Sequence, residues 1–444
     1  MKIRLSDHFT YRKMLKYTFP SIMMMIFTSI YGMVDGLFIS NYSGAVPFAA
    51  VNLIMPFVMV LGAVGTVFGS GGSALISMKL GMGMKKEANQ IFSFLVYSVI
   101  VIGIFLSIIG IVYAKPVSRF LGATDKMLPY CVVYCRINMV GNIQFILQYM
   151  FQVLLVTAER PQLGLFVTLA AGIANMVMDW LFVGVLHMGV PGAAWATVIS
   201  QTIGGVLPLI YFFLPSTKTI IHLGKTRFSW KWLRRAAGNG SSEFMSTISS
   251  SFVGMLYNYQ LLKYAGSNGV AAYGVIMYGG FIFTGVYFGF SMGVAPVISY
   301  HYGAADTDEL KGLFKKCLRI IFSFMIILVT LSEIFTEPIC AIFVGYDKTL
   351  LSMTTEAFRI YSISYIFMGF NIFGSSLFTA LNNGAISALI SFMRTLFFEV
   401  VSVLVLPLIF AIDGVWSAVI CAEAFCLIVT ITCILKFRNR YHYA

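Results

Sequence analysis

Hydrophobic and polar positions along this chain alternate on a scale far longer than a helical turn or a strand pleat. Apolar runs of 20 or more residues are separated by short polar segments, most of them basic. A bilayer core about 30 Å thick takes about 20 apolar residues per helix, so the pattern predicts membrane-spanning helices. Twelve spans follow, at approximately 16–40, 50–78, 91–113, 131–157, 161–186, 190–214, 238–263, 270–300, 312–335, 355–381, 384–411 and 413–437. An outer-membrane β-barrel would need short segments of alternating character instead. The basic stretch MKIRLSDHFTYRK leads into an apolar run too long for a signal-peptide core, so it is read as preceding a retained first helix.

The spans themselves repeat. Ser73-Ala-Leu-Ile-Ser77-Met-Lys79-Leu-Gly81 closes the second span, and Ala295-Pro-Val-Ile-Ser299-Tyr-His301-Tyr-Gly303 closes the eighth. The same offset of 222 pairs Thr157-Ala158 with Thr379-Ala380 and Gly192 with Gly414, and an offset of 223 pairs Phe120-Leu121-Gly122 with Phe343-Val344-Gly345. Two homologous six-helix lobes are therefore expected, 1–214 and 238–444, joined by a basic linker at 215–237. Six is even, so both lobes enter from the same side and are related by a two-fold axis along the membrane normal. The predicted fold is an all-α polytopic membrane protein, two parallel-repeat six-helix lobes around a central cleft. That is the architecture of an alternating-access carrier.

Composition narrows the class. The 444 residues are 59% hydrophobic and 11% charged, with a mean hydropathy of +0.87. Soluble domains carry about 25% charged residues, so a water-facing surface of ordinary size could not be built. The formal charge of +13 would suggest nucleic acid in a soluble protein. Here twenty-two Lys and Arg fall on the side of the two termini and seven on the other, with Arg394 inside a span. The bias places both termini in the cytoplasm and leaves nucleic acid out as a partner. The seven cysteines form no CxxC pair, so neither a disulfide framework nor a zinc site is indicated. No GxxxxGK[ST] sequence appears, and no His–Asp or Cys–His constellation lies within the spans, so no enzymatic activity and no cofactor are expected.

Charge inside hydrocarbon is costly and marks function by default. Asp35 lies in the first span and Asp179 in the fifth, neither with a basic residue in its own span. Asn175 precedes Asp179 by four residues, which puts an amide and a carboxylate on one helical face. Thr197 of the sixth span adds a hydroxyl if that helix packs against the fifth. Such an oxygen cluster can hold Na+, with Asp35, Asn175 and Asp179 as its ligands. It can equally hold protons, because burial and mutual repulsion both favour the neutral carboxyl. An offset of 222 from the two aspartates reaches Tyr257 and Val401, so the pair has no counterpart in the second lobe. Coupling is expected in the first.

Candidate substrate contacts are Asn52, Gln144, Gln148, Glu243 and Tyr257. Gln144, Gln148 and Gln152 form an i, i+4, i+8 stripe, which suits either interhelical hydrogen bonds or the wall of a wet cavity. Glu243 opens the seventh span, where the helix dipole also favours a carboxylate. Tyr257 belongs to an aromatic-rich stretch that offers flat surfaces to aromatic cations. Arg394 is expected to pair with Glu399 or Glu423 between helices.

Val34-Asp35-Gly36, Ala49-Ala50-Val51-Asn52, Met55-Pro56-Phe57, Lys85-Lys86-Glu87-Ala88, Glu159-Arg160-Pro161, Asn175 to Asp179 and Gly189-Val-Pro-Gly-Ala-Ala-Trp195-Ala-Thr197 carry a resemblance. Together they resemble the multidrug and toxic compound extrusion (MATE) family, most of all its bacterial MepA-like branch, and the likeness runs along nearly the whole chain. The resemblance implies an antiporter of the bacterial cytoplasmic membrane, a monomer that expels organic cations while admitting Na+ or H+. It assigns the amino-lobe ion site to Asp35, Asn175, Asp179 and Thr197, and a seventh-span role to Glu243. Some relatives use a tenth-span aspartate, where the nearest polar residue here is Asn371. The alternative is a flippase for lipid-linked oligosaccharides or another metabolite, whose cleft should be rich in Arg or Lys.

Overall fold

The computed structural model describes residues 3–214 and 219–444, so Lys2, Lys218 and the first positions of the expected linker lie outside the described residues. Among the described residues there is no strand. The helices are α1 (Tyr11–Ser43), α2 (Ala45–Gly81), α3 (Lys85–Phe120), α4 (Leu128–Val140), α5 (Asn142–Thr157), α6 (Pro161–Asp179) and α7 (Gly189–Phe213) in the first half. A short α8 (Trp230–Asn239) precedes α9 (Ser241–Gly303), α10 (Thr307–Val344), α11 (Lys348–Ser362), α12 (Tyr365–Ala380), α13 (Gly384–Phe392) and α14 (Phe398–Tyr441). Widened π turns extend α6 over Trp180–Val185 and join α13 to α14 over Met393–Phe397.

Eight of these helices are long and apolar enough to cross a bilayer, or up to ten if each bent pair counts as one crossing. Two of the long runs are themselves broken. The 63 residues of α9 turn at Gly266 (φ 62°), and the 58-residue run of α13 and α14, Gly384–Tyr441, turns at Ala411 (φ 51°), so each run divides into two parts long enough to cross. The twelve expected crossings result. Two of them are not the straight helices that their apolar runs suggested. Residues 131–157 bend by 60° at Gly141, and 355–381 bend by 49° between Ser362 and Tyr365. Hydropathy registers only how apolar a run is, and an apolar residue at a bend is as apolar as one in a helix.

The breaks recur with the repeat. Positive φ angles at Gly44, Gly83 and Gly189 return 222 residues later at Gly266, Ala305 and Ala411. The α4–α5 bend at Gly141 returns at Ile363. Glycine takes the left-handed side of the map at no steric cost, whereas Ala305 and Ala411 hold it against their Cβ.

Both termini lie at one end of the bundle. The Leu5 amide donates to Glu159 Oε1 (2.8 Å) and the Phe9 amide to Glu309 Oε1 (2.9 Å), while the rings of Phe314 and Tyr443 lie 5.1 Å apart. The linker docks at the same end. The His222 amide donates to Asn89 Oδ1 and the Thr226 hydroxyl to the Gln90 carbonyl, both at the start of α3. Its last part is the helix α8, capped by Ser229, which accepts from the Trp232 amide. The expected basic linker therefore carries a helix at its end, too short and too charged to register as a span.

The lobes touch most intimately where α2 and α9 cross at this end. A methyl group on Gly81 would stand 2.0 Å from the Tyr300 carbonyl oxygen, and one on Gly303 would stand 2.1 Å from that of Met78. These two glycines are repeat mates, so the crossing obeys the two-fold relation. Lipid tails are as apolar as leucine, so such helices gain from close van der Waals approach rather than from leaving water. The Ser299 hydroxyl donates to the Ala74 carbonyl (2.6 Å) and ties the crossing from one side.

Candidate functional site

Asp35 sits on α1 and Asp179 on the last turn of α6, and α1 packs along α6. Their carboxyl groups come within hydrogen-bonding reach of each other. Asp35 is 8% exposed, Asp179 is fully buried, and among the described residues neither aspartate forms an ion pair. One oxygen of Asp35 and both of Asp179 are buried without a hydrogen-bond partner. Two carboxylates cannot share such a space fully charged without a proton or a cation between them.

Asn175 is buried one turn before Asp179 on α6. Thr197 lies on α7, where its hydroxyl donates to the Ala193 carbonyl (3.0 Å) and keeps its lone pairs. Sequence reasoning missed Tyr134 of α4. It is buried, with Asn138 and Thr197 beside its side chain and both aspartates near enough for their charge to act on it. The i, i+4 spacing of Tyr134 and Asn138 was the available signal. Tyr31 of α1 was missed as well and lies among Thr28, Gln148, Tyr149 and Asp35.

A cavity of about 180 Å³ opens between the lobes. From the first lobe it takes Met25, Thr66, Ser70, Ser73, Tyr149, Gln152 and Val153, and from the second Glu243, Ser246, Ser291, Ser375, Ser391 and Arg394. Hydroxyls dominate its wall. Ser291 Oγ and Gln152 Oε1 are buried there without partners. Glu243 lines it and makes no ion pair among the described residues.

The glutamine stripe divides. Gln152 reaches the cavity and also donates to the Thr168 hydroxyl (3.4 Å). Gln148 is buried against Gly204 of α7 beside Tyr31, and the Gln144 backbone packs on Gly205, so those two knit α5 to α7. Asn52 is exposed on α2, donates to the Phe48 carbonyl (3.0 Å) and lines neither lobe cavity.

Tyr257 belongs to a second space of about 330 Å³ within the carboxy lobe, with Tyr273, Tyr361, Glu399, Arg394 and Glu423. Its ring stacks on Tyr273 at 4.9 Å. The charge of Glu423 is neutralised by protein here. Arg394 Nε donates to Glu423 Oε1 at 2.7 Å, and Asn371 Nδ2 donates to Glu423 Oε2 at 2.7 Å. The Thr430 hydroxyl completes the chain with a bond to Asn371 Oδ1 (2.8 Å). The pairing expected of Arg394 is made with Glu423, and Asn371 serves that ion pair. Among the described residues no group of three His, Cys, Asp or Glu is placed to hold a metal ion.

Known proteins match this chain over nearly its full length. Multidrug export protein MepA of Staphylococcus haemolyticus is 23% identical over 435 residues, covering 97% of this chain and 94% of that protein. Multidrug export protein MepA of Staphylococcus aureus strain NCTC 8325 is 22% identical over 443 residues, with the same coverage. Among solved structures, a MATE in complex with MaL6 superposes with a TM-score of 0.90 at 20% identity, covering 98% of this chain and 97% of that one. An outward-facing multidrug resistance MATE family transporter of the MOP superfamily also gives 0.90 at 20% identity, covering 98% and 96%. These structures share the fold. The MatE family model matches twice, at residues 20–181 and again at 244–405, once in each half. Matched along most of its length by that model, the chain belongs to the MatE family.

Proposed function

We propose that this protein is an antiporter that exports organic cations across the cell membrane, with Na+ or H+ returning through the Asp35–Asp179 pair. The observation that carries the reading is this pair of buried carboxyls, which face each other with no basic partner. The multidrug export role of the MepA relatives supports the same direction. A site with two negative charges and no internal counter-charge has to take its neutralising cation from outside, either as a metal ion or as protons.

The closed α2–α9 crossing at the terminal end makes the described state one in which the cleft is shut on that side, read as cytoplasmic from the basic bias. Na+ or H+ entering from the opposite side neutralises the pair. The cleft then loses negative charge, and a bound organic cation is held less tightly and leaves. By linkage the effect is reciprocal, so the organic cation weakens binding of the coupling ion by the same factor. Glu243 and the hydroxyl wall form the substrate-facing surface, and Tyr31 stands between that surface and Asp35. A phosphate-bearing substrate would need free cations in the cleft, and Arg394 is already paired with Glu423. The flippase alternative lacks that support.

The test is efflux of a fluorescent cationic dye from proteoliposomes, with Na+ and pH gradients imposed separately. Efflux driven by a sodium gradient alone assigns the pair to a metal ion, and efflux driven only by a pH gradient assigns it to protons. Failure of both gradients to move several dyes would sink the proposal.

A further inference from the structure

At the basic end of the bundle, an open cavity of about 880 Å³ lies between α2, α8 and the α12–α13 turn. Leu75 and Met78 of the first lobe form one wall, and Asn382 and Gly384 of the second form another. Lys231, Arg234 and Arg235 of α8 ring it, all exposed. None of the three makes an ion pair among the described residues, and no Asp or Glu occurs anywhere from 215 to 242. Beside them Phe228 and Trp230 are 78% and 65% exposed.

That exposure is bought by design of the helix rather than by disorder in it. Trp232 is buried against Phe94, and Phe228 contacts the same ring edge-on, so the segment is anchored while its cations and two aromatics face outward. The Ala236 carbonyl lies so close to α2 that a methyl group on Gly71 would stand 2.0 Å from it. A rigid amphipathic helix with outward aromatics and cations, set where the spans begin, fits the headgroup layer of a membrane.

We infer that this cavity is a binding site for the headgroup of an anionic phospholipid. Lys231, Arg234 and Arg235 take the phosphate, and Trp230 and Phe228 sit at the interface beside it. Zwitterionic lipids carry a compensating ammonium and are held less well. Because the two walls belong to different lobes, an occupied site favours the arrangement in which the α2 end and the α12–α13 turn lie together. The lipid thereby stabilises the closed terminal end.

The test uses the full chain purified in detergent, with the thermal unfolding midpoint read during titration with phosphatidylglycerol, phosphatidylcholine or inorganic phosphate. Phosphatidylglycerol should raise the midpoint saturably, and the other two should not. The triple variant Lys231→Gln, Arg234→Gln, Arg235→Gln should need about a hundredfold more phosphatidylglycerol, while Lys311→Gln with Lys315→Gln, at the same end but outside the cavity, should respond as the parent does. If the triple variant does not accumulate, Arg235→Gln alone should still need several times more lipid. An undiminished response of these variants, an equal response to phosphatidylcholine, or an equal response to free phosphate would each overturn the inference.

Discussion

The amino and carboxy lobes share a backbone and differ in how they treat buried charge. Turns at Gly44, Gly83 and Gly189 return at Gly266, Ala305 and Ala411, and the bend at Gly141 returns at Ile363. Yet the repeat mates of Asp35 and Asp179 are Tyr257 and Val401. The first lobe leaves two carboxyls facing each other with unsatisfied oxygens. The second ties Glu423 internally, through Arg394, Asn371 and Thr430, and its other cavity carboxyls, Glu243 and Glu399, stand apart from each other with no ion pair among the described residues. A scaffold can thus be duplicated through its turns and close helix contacts, while a few side chains decide which copy brings two unpaired carboxyls face to face.

The comparison can be broken most severely at the aspartates. Asp179→Asn should reduce gradient-driven dye efflux to the level of empty liposomes while the protein still elutes as a folded species, and Asp35→Asn should behave alike. Efflux at the parent rate from either would show that coupling lies elsewhere. Stability should respond in the opposite sense between lobes. Removing one of two facing carboxylates relieves repulsion, so the thermal midpoint of Asp179→Asn should not fall. Arg394→Ala strands Glu423, which is 3% exposed, and should cost about 3–5 kcal/mol in chemical or thermal unfolding. Replacing Arg394 and Glu423 together by apolar residues of similar volume should recover most of that loss, and no recovery would mean the pair is more than an ion pair.

A smaller effect is expected at the lobe crossing. Gly303→Ala forces α9 off the Met78 carbonyl and should cost about 1–3 kcal/mol. The cost falls on the closed arrangement, so a cysteine placed at Ser77, fully buried there, should react faster with a polar thiol reagent in the Gly303→Ala background. Unchanged labelling would argue that the crossing adapts without opening. The smallest effect concerns the turns. Ala411→Gly removes a Cβ from a backbone that its repeat mate Gly189 adopts freely, and should raise stability by about 1 kcal/mol. Gly266→Ala should lower it by a similar amount, measured in the same unfolding assay.

Much of this was legible in the residues themselves. The span count, the repeat offset and the basic end follow from hydropathy and charge, because a bilayer allows few ways to satisfy backbone groups. Asp35 and Asp179 stood out because an ionisable residue in an apolar run is costly and neither has a basic residue in its own span to neutralise it. Tyr134 did not stand out, since a tyrosine in an apolar helix resembles any other aromatic until its neighbours are known. The same limit applied to the glutamines. Gln144, Gln148 and Gln152 share a helix face by spacing, and only the packing of α7 on α5 assigns the first two to helix contact and the last to the cavity.

By itself, then, the sequence determined a twelve-span, two-lobe chain with its termini at one basic end, and it named the two acids that lie inside spans with no basic residue beside them. Those are properties of single segments, set by transfer energy and chain connectivity. Tertiary structure alone decided that the two acids meet, that Arg394 chooses Glu423 over Glu399, that spans four and ten are bent, and that α8 walls a basic cavity between lobes. Each of these depends on which surfaces of distant helices come within a few ångströms of each other, a distance that no local pattern of residues encodes.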